Sequence, residues 1–180
     1  MGSERLILRA LLAVVAGLLA AGCRDDTTTR APDPSAGQPA TVAWVNDGDT
    51  LTLHGGVKVR LVQVDAPELT ADCYGRAARR ALVDLAPEGT RVVLVRDPGL
   101  DDRDRHGRLL RYVYVGGRNV NVQLVRRGAA SPYFFRSARG QIAEELDDAV
   151  DEARGRSAGY WGACPSAELN TGVGSISGPA

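Results

Sequence analysis

From Ala40 onward, short runs rich in apolar and β-branched residues, in part alternating with polar ones, are broken by turn-forming pairs. Such alternation turns one side of an extended chain toward a core and the other toward water. It predicts strands over 41–46, 50–54 and 57–64, with Asp47-Gly48 and Gly55-Gly56 as the intervening turns. From Gly75 to Leu85 the spacing becomes helical and Pro87 follows, which predicts a helix lying across the sheet. Two further strands are expected over 91–96 and 108–115, on either side of the polar loop 97–107. A short helix over 119–127 closed by Gly128, and a longer amphipathic one over 139–154, complete the pattern. The predicted class is α+β, mainly β: a five-stranded OB-type barrel with about three helices, because so few short strands must close on themselves or cover their edges. Such barrels host many functions, so chemistry has to be sought in the side chains.

The flanks read differently. Ala10 to Ala21 is an apolar run behind Arg5 and Arg9, ending in small residues, so residues 1–22 are expected to be a signal peptide. The run is short of the roughly 20 apolar residues that a bilayer crossing needs. Cys23 directly follows Leu19-Ala20-Ala21-Gly22, which resembles a bacterial lipobox and implies lipidation of Cys23, although the leucine stands one position further from the cysteine than is usual. The expectation is an exported protein, held on the outer face of the cell membrane as a lipoprotein or, alternatively, freely secreted. Residues 23–39 are polar and proline-containing and are expected to be a disordered tether, and residues 166–180, rich in Gly and Ser, a disordered tail. The folded domain is expected over 40–165.

Charge narrows the function classes. The chain carries 22 Lys and Arg against 22 Asp and Glu, and loss of the first 22 residues would leave a formal charge of about −1. That balance argues against a tight, non-specific nucleic-acid binder, which would be basic overall, while leaving room for a local basic site. Lys58 is the only lysine, so nearly all the cations are arginine, which fits selection for phosphate-matching forks and equally a GC-rich genome.

Two groups of residues could carry chemistry. The first is Asp47-Gly48-Asp49-Thr50 together with Arg60-Leu61 and Val64-Asp65-Ala66-Pro67-Glu68. If these strands form a meander, Asp49 and Asp65 converge at one end, and two carboxylates with the Ala66 carbonyl suit a hard cation such as calcium. Arg60 and Asp65 stand five positions apart, so strict alternation would point them to opposite faces. A bulge or twist near 62–64 is therefore required. The second group is Asp104-Arg105-His106-Gly107-Arg108. Each piece alone reads as an ordinary turn.

Taken together and in this order, with Asn119-Val120-Asn121, Leu124-Val125, Gly128 and Trp161, these residues resemble the thermonuclease, or staphylococcal nuclease-like, family over roughly 39–161. The resemblance implies an OB barrel with helices and a calcium-dependent nuclease that hydrolyses phosphodiester bonds of DNA and RNA and leaves 3′-phosphate ends. It implies calcium ligands at Asp49, Asp65 and the carbonyl of Ala66, a general base at Glu68, and phosphate-binding, charge-stabilising arginines at Arg60 and Arg108. The bland alternative for Arg60 is a partly buried ion pair with Asp65 or Glu68. Tyr133, Phe134 and Phe135 fall where the family places aromatics that stack on a base; Tyr133 and Phe135 are the candidates, with core packing as the alternative. Ala66 replaces a threonine and His106 a tyrosine of the best-known members, and His106 is assigned no role.

The expected substrates are DNA and RNA, single-stranded or frayed, taken by a monomer. Cys73 and Cys164 are expected to form a disulfide, as a cysteine pair in an exported domain commonly does. Two other readings stand beside the enzyme: a catalytically silent nucleic-acid-binding OB module and a surface scaffold lipoprotein. The silent module would be expected to lack Arg60, Glu68 or Arg108, and all three are present.

Overall fold

A computed structural model describes residues 32–179. The expected signal peptide, Cys23 and most of the tether lie outside the described residues.

The chain runs β1 (Gln38–Val45), β2 (Thr50–Leu53), β3 (Lys58–Leu61), β4 (Val64–Asp65), α1 (Gly75–Leu85), β5 (Arg91–Val95) and β6 (Leu109–Val115). It continues through β7 (Arg118–Asn119), α2 (Val120–Arg126), β8 (Ser131–Pro132), α3 (Ala143–Gly155), α4 (Tyr160–Ala163), β9 (Glu168–Asn170) and β10 (Gly174–Ile176). The strand order β3-β2-β1-β5-β6 is antiparallel, and a parallel pairing of β3 with β6, Val59 opposite Leu109 and Arg60 opposite Leu110, joins the two edges. The result is a closed five-stranded barrel, which bears out the OB-type class expected from the five short strands. Closure removes the unpaired edges that a small open sheet would expose.

Inward side chains of the strands, among them Val42, Leu51, Val59, Leu61, Val92, Leu94 and Tyr112, form one core with Ala78 and Leu82 of α1 and with Val122, Leu124, Leu146 and Val150 of α2 and α3. Asn121 is fully buried and staples α2 to the barrel: it accepts from the Val113 amide at 3.0 Å and donates to the carbonyls of Val62 and Arg111 at 2.9 and 3.2 Å. Asn119 caps the same helix, accepting from the amides of Asn121 and Val122. Asp97, also buried, takes hydrogen bonds from the Tyr112 hydroxyl at 2.6 Å and from the amides of Gly99 and Gln141, which pins the start of the loop 97–107.

Two expectations need correction. Order begins ahead of residue 40: a 3-10 turn at Pro34–Ala36, capped by Asp33, leads into β1. The end of the chain is structured as well. β9 and β10 pair as an antiparallel hairpin, Ser177 is buried, and the Cys73 amide donates to the Gly178 carbonyl at 2.8 Å. Glycine and serine content suggested disorder there, but these small residues allow the hairpin to lie close against the domain. Cys73 and Cys164 form the expected disulfide, with Cα atoms 6.0 Å apart.

Candidate active site

The turn Asp47-Gly48-Asp49 connects β1 and β2 and packs tightly on the domain. A Cβ at Gly48 would lie 2.5 Å from the Ala66 Cβ and 2.9 Å from the Ala78 Cβ, so only glycine lets this turn approach β4 and α1. Asp47 Oδ1 accepts from the Asp49 amide at 3.1 Å, which shapes the turn. Asp49 is thereby buried: its Oδ1 accepts from the Thr50 hydroxyl at 2.9 Å and its Oδ2 from the Ala66 amide at 3.1 Å.

The twist demanded between Arg60 and Asp65 is supplied by Gln63, whose φ of +62° is left-handed. β3 ends at Leu61, the chain turns through 62–63, and β4 resumes against β8. Gln63 holds this turn in place by donating to the Ala138 carbonyl at 3.1 Å. As a result Arg60 and Asp65 face each other despite their odd separation. Arg60 Nη2 lies 2.5 Å from Asp65 Oδ1 and 3.1 Å from Asp49 Oδ2, while Nη1 donates to the carbonyls of Val64 at 2.7 Å and Leu61 at 3.2 Å. The ion-pair alternative raised for Arg60 is thus realised with Asp65, and with Asp49 in place of Glu68. It orients the guanidinium inside the pocket and is compatible with a role on substrate.

Arg108 enters from the strand beside β3. Its Nε donates to Asp104 Oδ2 at 2.6 Å, and its Nη1 donates to the Thr50 hydroxyl at 3.1 Å. Asp104 Oδ1 accepts from the amides of His106 and Arg108, so this one carboxylate folds the turn and aims the arginine. Asp104 stood in the sequence pattern without a role, and Thr50 likewise. Aspartate in a turn and threonine beside a carboxylate are both common for local reasons, so neither carried a distinct signal.

These groups line one open pocket of about 1170 Å³ together with Glu68, His106, Tyr133 and Phe135. Glu68 is exposed on its wall, and His106 is exposed with its ring against Arg105. Of the three aromatics, Tyr133 and Phe135 line the pocket with ring centroids 6.4 Å apart, whereas Phe134 is buried. Phe135 is 54% exposed, a conspicuous apolar surface with no core to serve. The Arg60 guanidinium stands 6.0 Å from the Tyr133 centroid.

Negative charge is crowded here. Burial, and then the charge of Asp49, raise the carboxyl pKa of both Asp47 and Asp65 above the usual aspartate range, although Arg60 and Ser175 oppose this at Asp65. Glu68 is raised too, by desolvation and then by Asp49, Asp47 and Asp65. Burial disfavours the Arg60 charge, yet Asp49 and Asp65 outweigh it and strengthen its hold on the proton. Among the described residues no group of three or more His, Cys, Asp or Glu side chains forms a metal cage. A cation would rest on Asp49, Asp65, carbonyl oxygen and water, an all-oxygen set that suits calcium. The mutual repulsion of the carboxylates is what such a cation would relieve, so the residues present fit it.

Comparison with known proteins places the chain. The profile of the staphylococcal nuclease homologue family matches residues 58–163. An uncharacterized endonuclease of Haemophilus influenzae is 32% identical over 134 residues, covering 72% of this chain and 66% of that protein. Protein ParB of Escherichia coli is 37% identical over 133 residues, covering 67% and 70%. Thermonuclease of Staphylococcus intermedius is 29% identical over 134 residues, covering 69% and 77%. The family match encloses Arg60, Asp65, Glu68 and Arg108, while Asp49 precedes it and the β9–β10 hairpin follows it. On the barrel, the pocket and this match, the chain belongs to the staphylococcal nuclease homologue family.

Proposed function

We propose that this protein is a calcium-dependent nuclease that hydrolyses phosphodiester bonds of DNA and RNA and leaves 3′-phosphate ends. The observation that carries the reading is the convergence of Arg60 and Arg108 on Asp49, directly through Arg60 and by way of Thr50 from Arg108, inside one open pocket that Glu68 also lines. The relatives' names, which include endonuclease and thermonuclease, support it.

The division of labour follows from the side chains. Arg60 and Arg108 bind the scissile phosphate and stabilise the charge that builds on its oxygens as phosphorus becomes five-coordinate. Glu68, on the pocket wall, accepts a proton from the attacking water. The bond from phosphorus to the 5′ oxygen breaks, the leaving oxygen takes a proton from solvent, and the phosphate stays on the 3′ side. Calcium, held by Asp49, Asp65 and the Ala66 carbonyl, would supply positive charge to the phosphate and offset the carboxylate repulsion. Tyr133 and Phe135 offer stacking surface to an unpaired base, which favours single-stranded or frayed substrate. The Cys73–Cys164 disulfide supports export into an oxidising compartment, where calcium is abundant.

Digestion of single-stranded DNA with calcium, with chelator and with Arg60→Ala tests the reading. Cleavage that requires both calcium and Arg60 is expected. No cleavage by folded protein at any calcium level would leave the binding-module or scaffold reading.

A further inference from the structure

The β9–β10 hairpin lies beyond the part of the chain that matches the family, yet it reaches into the site. Asp65 Oδ2 accepts two hydrogen bonds from Ser175, one from the amide at 3.0 Å and one from the hydroxyl at 3.1 Å. The other oxygen, Oδ1, faces Arg60. The approach is close: a Cβ at Gly174, where φ is +109°, would lie 2.7 Å from Asp65 Cγ. The hairpin is tied down on both sides. The Phe134 amide donates to the Thr171 carbonyl at 2.7 Å, the Ser177 hydroxyl donates to the Cys73 carbonyl at 2.8 Å, and Cys73 is itself bonded to Cys164, just ahead of β9.

We propose that Ser175 is a positioning residue for the cation site: it holds Oδ2 of Asp65, so that Oδ1 is the oxygen left facing Arg60 in the pocket. The proposal rests on the calcium reading above. A free carboxylate can rotate and pair in other ways, and must give up that freedom when it ligates; one already gripped through its far oxygen has less to lose. Both grips come from a segment whose own place is secured by the disulfide and by the backbone of 134, so the carboxylate inherits the rigidity of the hairpin.

Calorimetric titration of calcium chloride into the disulfide-intact protein, its Ser175→Ala variant and its Ser175→Thr variant tests this. Ser175→Ala should weaken calcium binding about tenfold, the scale of losing a ligand's supporting hydrogen bond, and Ser175→Thr should restore it. The calcium concentration needed for half-maximal cleavage should rise in parallel. Unchanged calcium affinity in Ser175→Ala overturns the proposal, as does a lowered thermal midpoint in chelator with no change in affinity. Absence of calcium binding by the unsubstituted protein would overturn the calcium reading itself, and the proposal with it.

Discussion

Arg108 and Asp49 are joined by a single hydroxyl: Thr50 Oγ1 accepts from Arg108 Nη1 at 3.1 Å and donates to Asp49 Oδ1 at 2.9 Å. Thr50 is almost wholly buried, so water cannot replace it. Thr50→Val keeps the branched shape and removes the link, leaving a buried carboxylate oxygen and an arginine N–H without this partner. Cleavage should fall by about tenfold, as expected for about 1.4 kcal/mol of lost transition-state stabilisation. Thr50→Ser should stay near the unsubstituted rate. Equal rates for the two variants in a single-turnover assay would show that the hydroxyl is dispensable.

Arg60→Lys should behave as a severe change. The guanidinium serves two carboxylates and two carbonyls at once through separate nitrogens, which one ammonium cannot match. Turnover should fall by about 10²–10³-fold, the scale of losing one preorganised donor to a developing anion. A lysine variant within threefold of the parent would count against any direct contact of Arg60 with the phosphate.

Glu68 must be deprotonated to act as a base, and desolvation, followed by repulsion from Asp49, Asp47 and Asp65, raises its pKa. Activity should therefore climb with pH along a limb lying above the ordinary glutamate range. Added calcium should move that limb to lower pH by countering the repulsion. Glu68→Gln should keep the fold and nucleotide binding, lose most turnover and lose the limb. A pH–rate profile with the same limb in Glu68→Gln would assign the titration to another group.

Stability should depend on pH in chelator. With folded pKa values raised at Asp47 and Asp65, the native state binds protons more tightly than the unfolded chain does. Their contribution is fully present below the unfolded aspartate value of about 3.9 and is lost as pH rises through the raised folded values. The thermal midpoint should accordingly rise as pH falls from 7 through those values toward about 4. Asp104 acts in the other direction: burial works against its charge, but the hydrogen bonds from Arg108 prevail and lower its pKa, so its contribution is lost only at more acidic pH. A midpoint that stays flat or falls between pH 7 and 4 in calorimetric scans would contradict the crowded-carboxylate picture.

The disulfide joins the segment before α1 to the segment after α4, across 91 residues of sequence. Cys73→Ser with Cys164→Ser should cost about 2–5 kcal/mol in urea unfolding. A loss below about 1 kcal/mol would mean that the linked ends are held equally well by the hairpin and the core.

Most of the barrel was legible because its short apolar, β-branched runs are set off by turn residues and its helices carry buried faces at Ala78 and Leu82 or at Leu146, Ala149 and Val150. Of the candidate site, what was legible is the company of its residues: Asp49, Asp65, Glu68, Arg60 and Arg108 line one pocket. Its connections were not. Period-two reasoning put Arg60 and Asp65 on opposite faces, and only a left-handed Gln63, a residue type with no special liking for that conformation, reverses this. Ser175 was hidden for a different reason. A Gly- and Ser-rich tail has the composition of a linker, and its order comes from distant partners at 65, 73 and 134 that no local pattern contains.

The parallel seam between β3 and β6 has a consequence for when the protein becomes active. Arg60 and Arg108 lie on segments that are brought side by side only when this seam forms, and such a pairing requires a long loop to close first. Before the seam forms, the two arginines stand on segments that no other pairing among the described residues brings side by side. On the proposed function, closing the barrel and assembling the phosphate-binding pair are one event, so a barrel left open at this seam would lack the enzyme's cationic clamp.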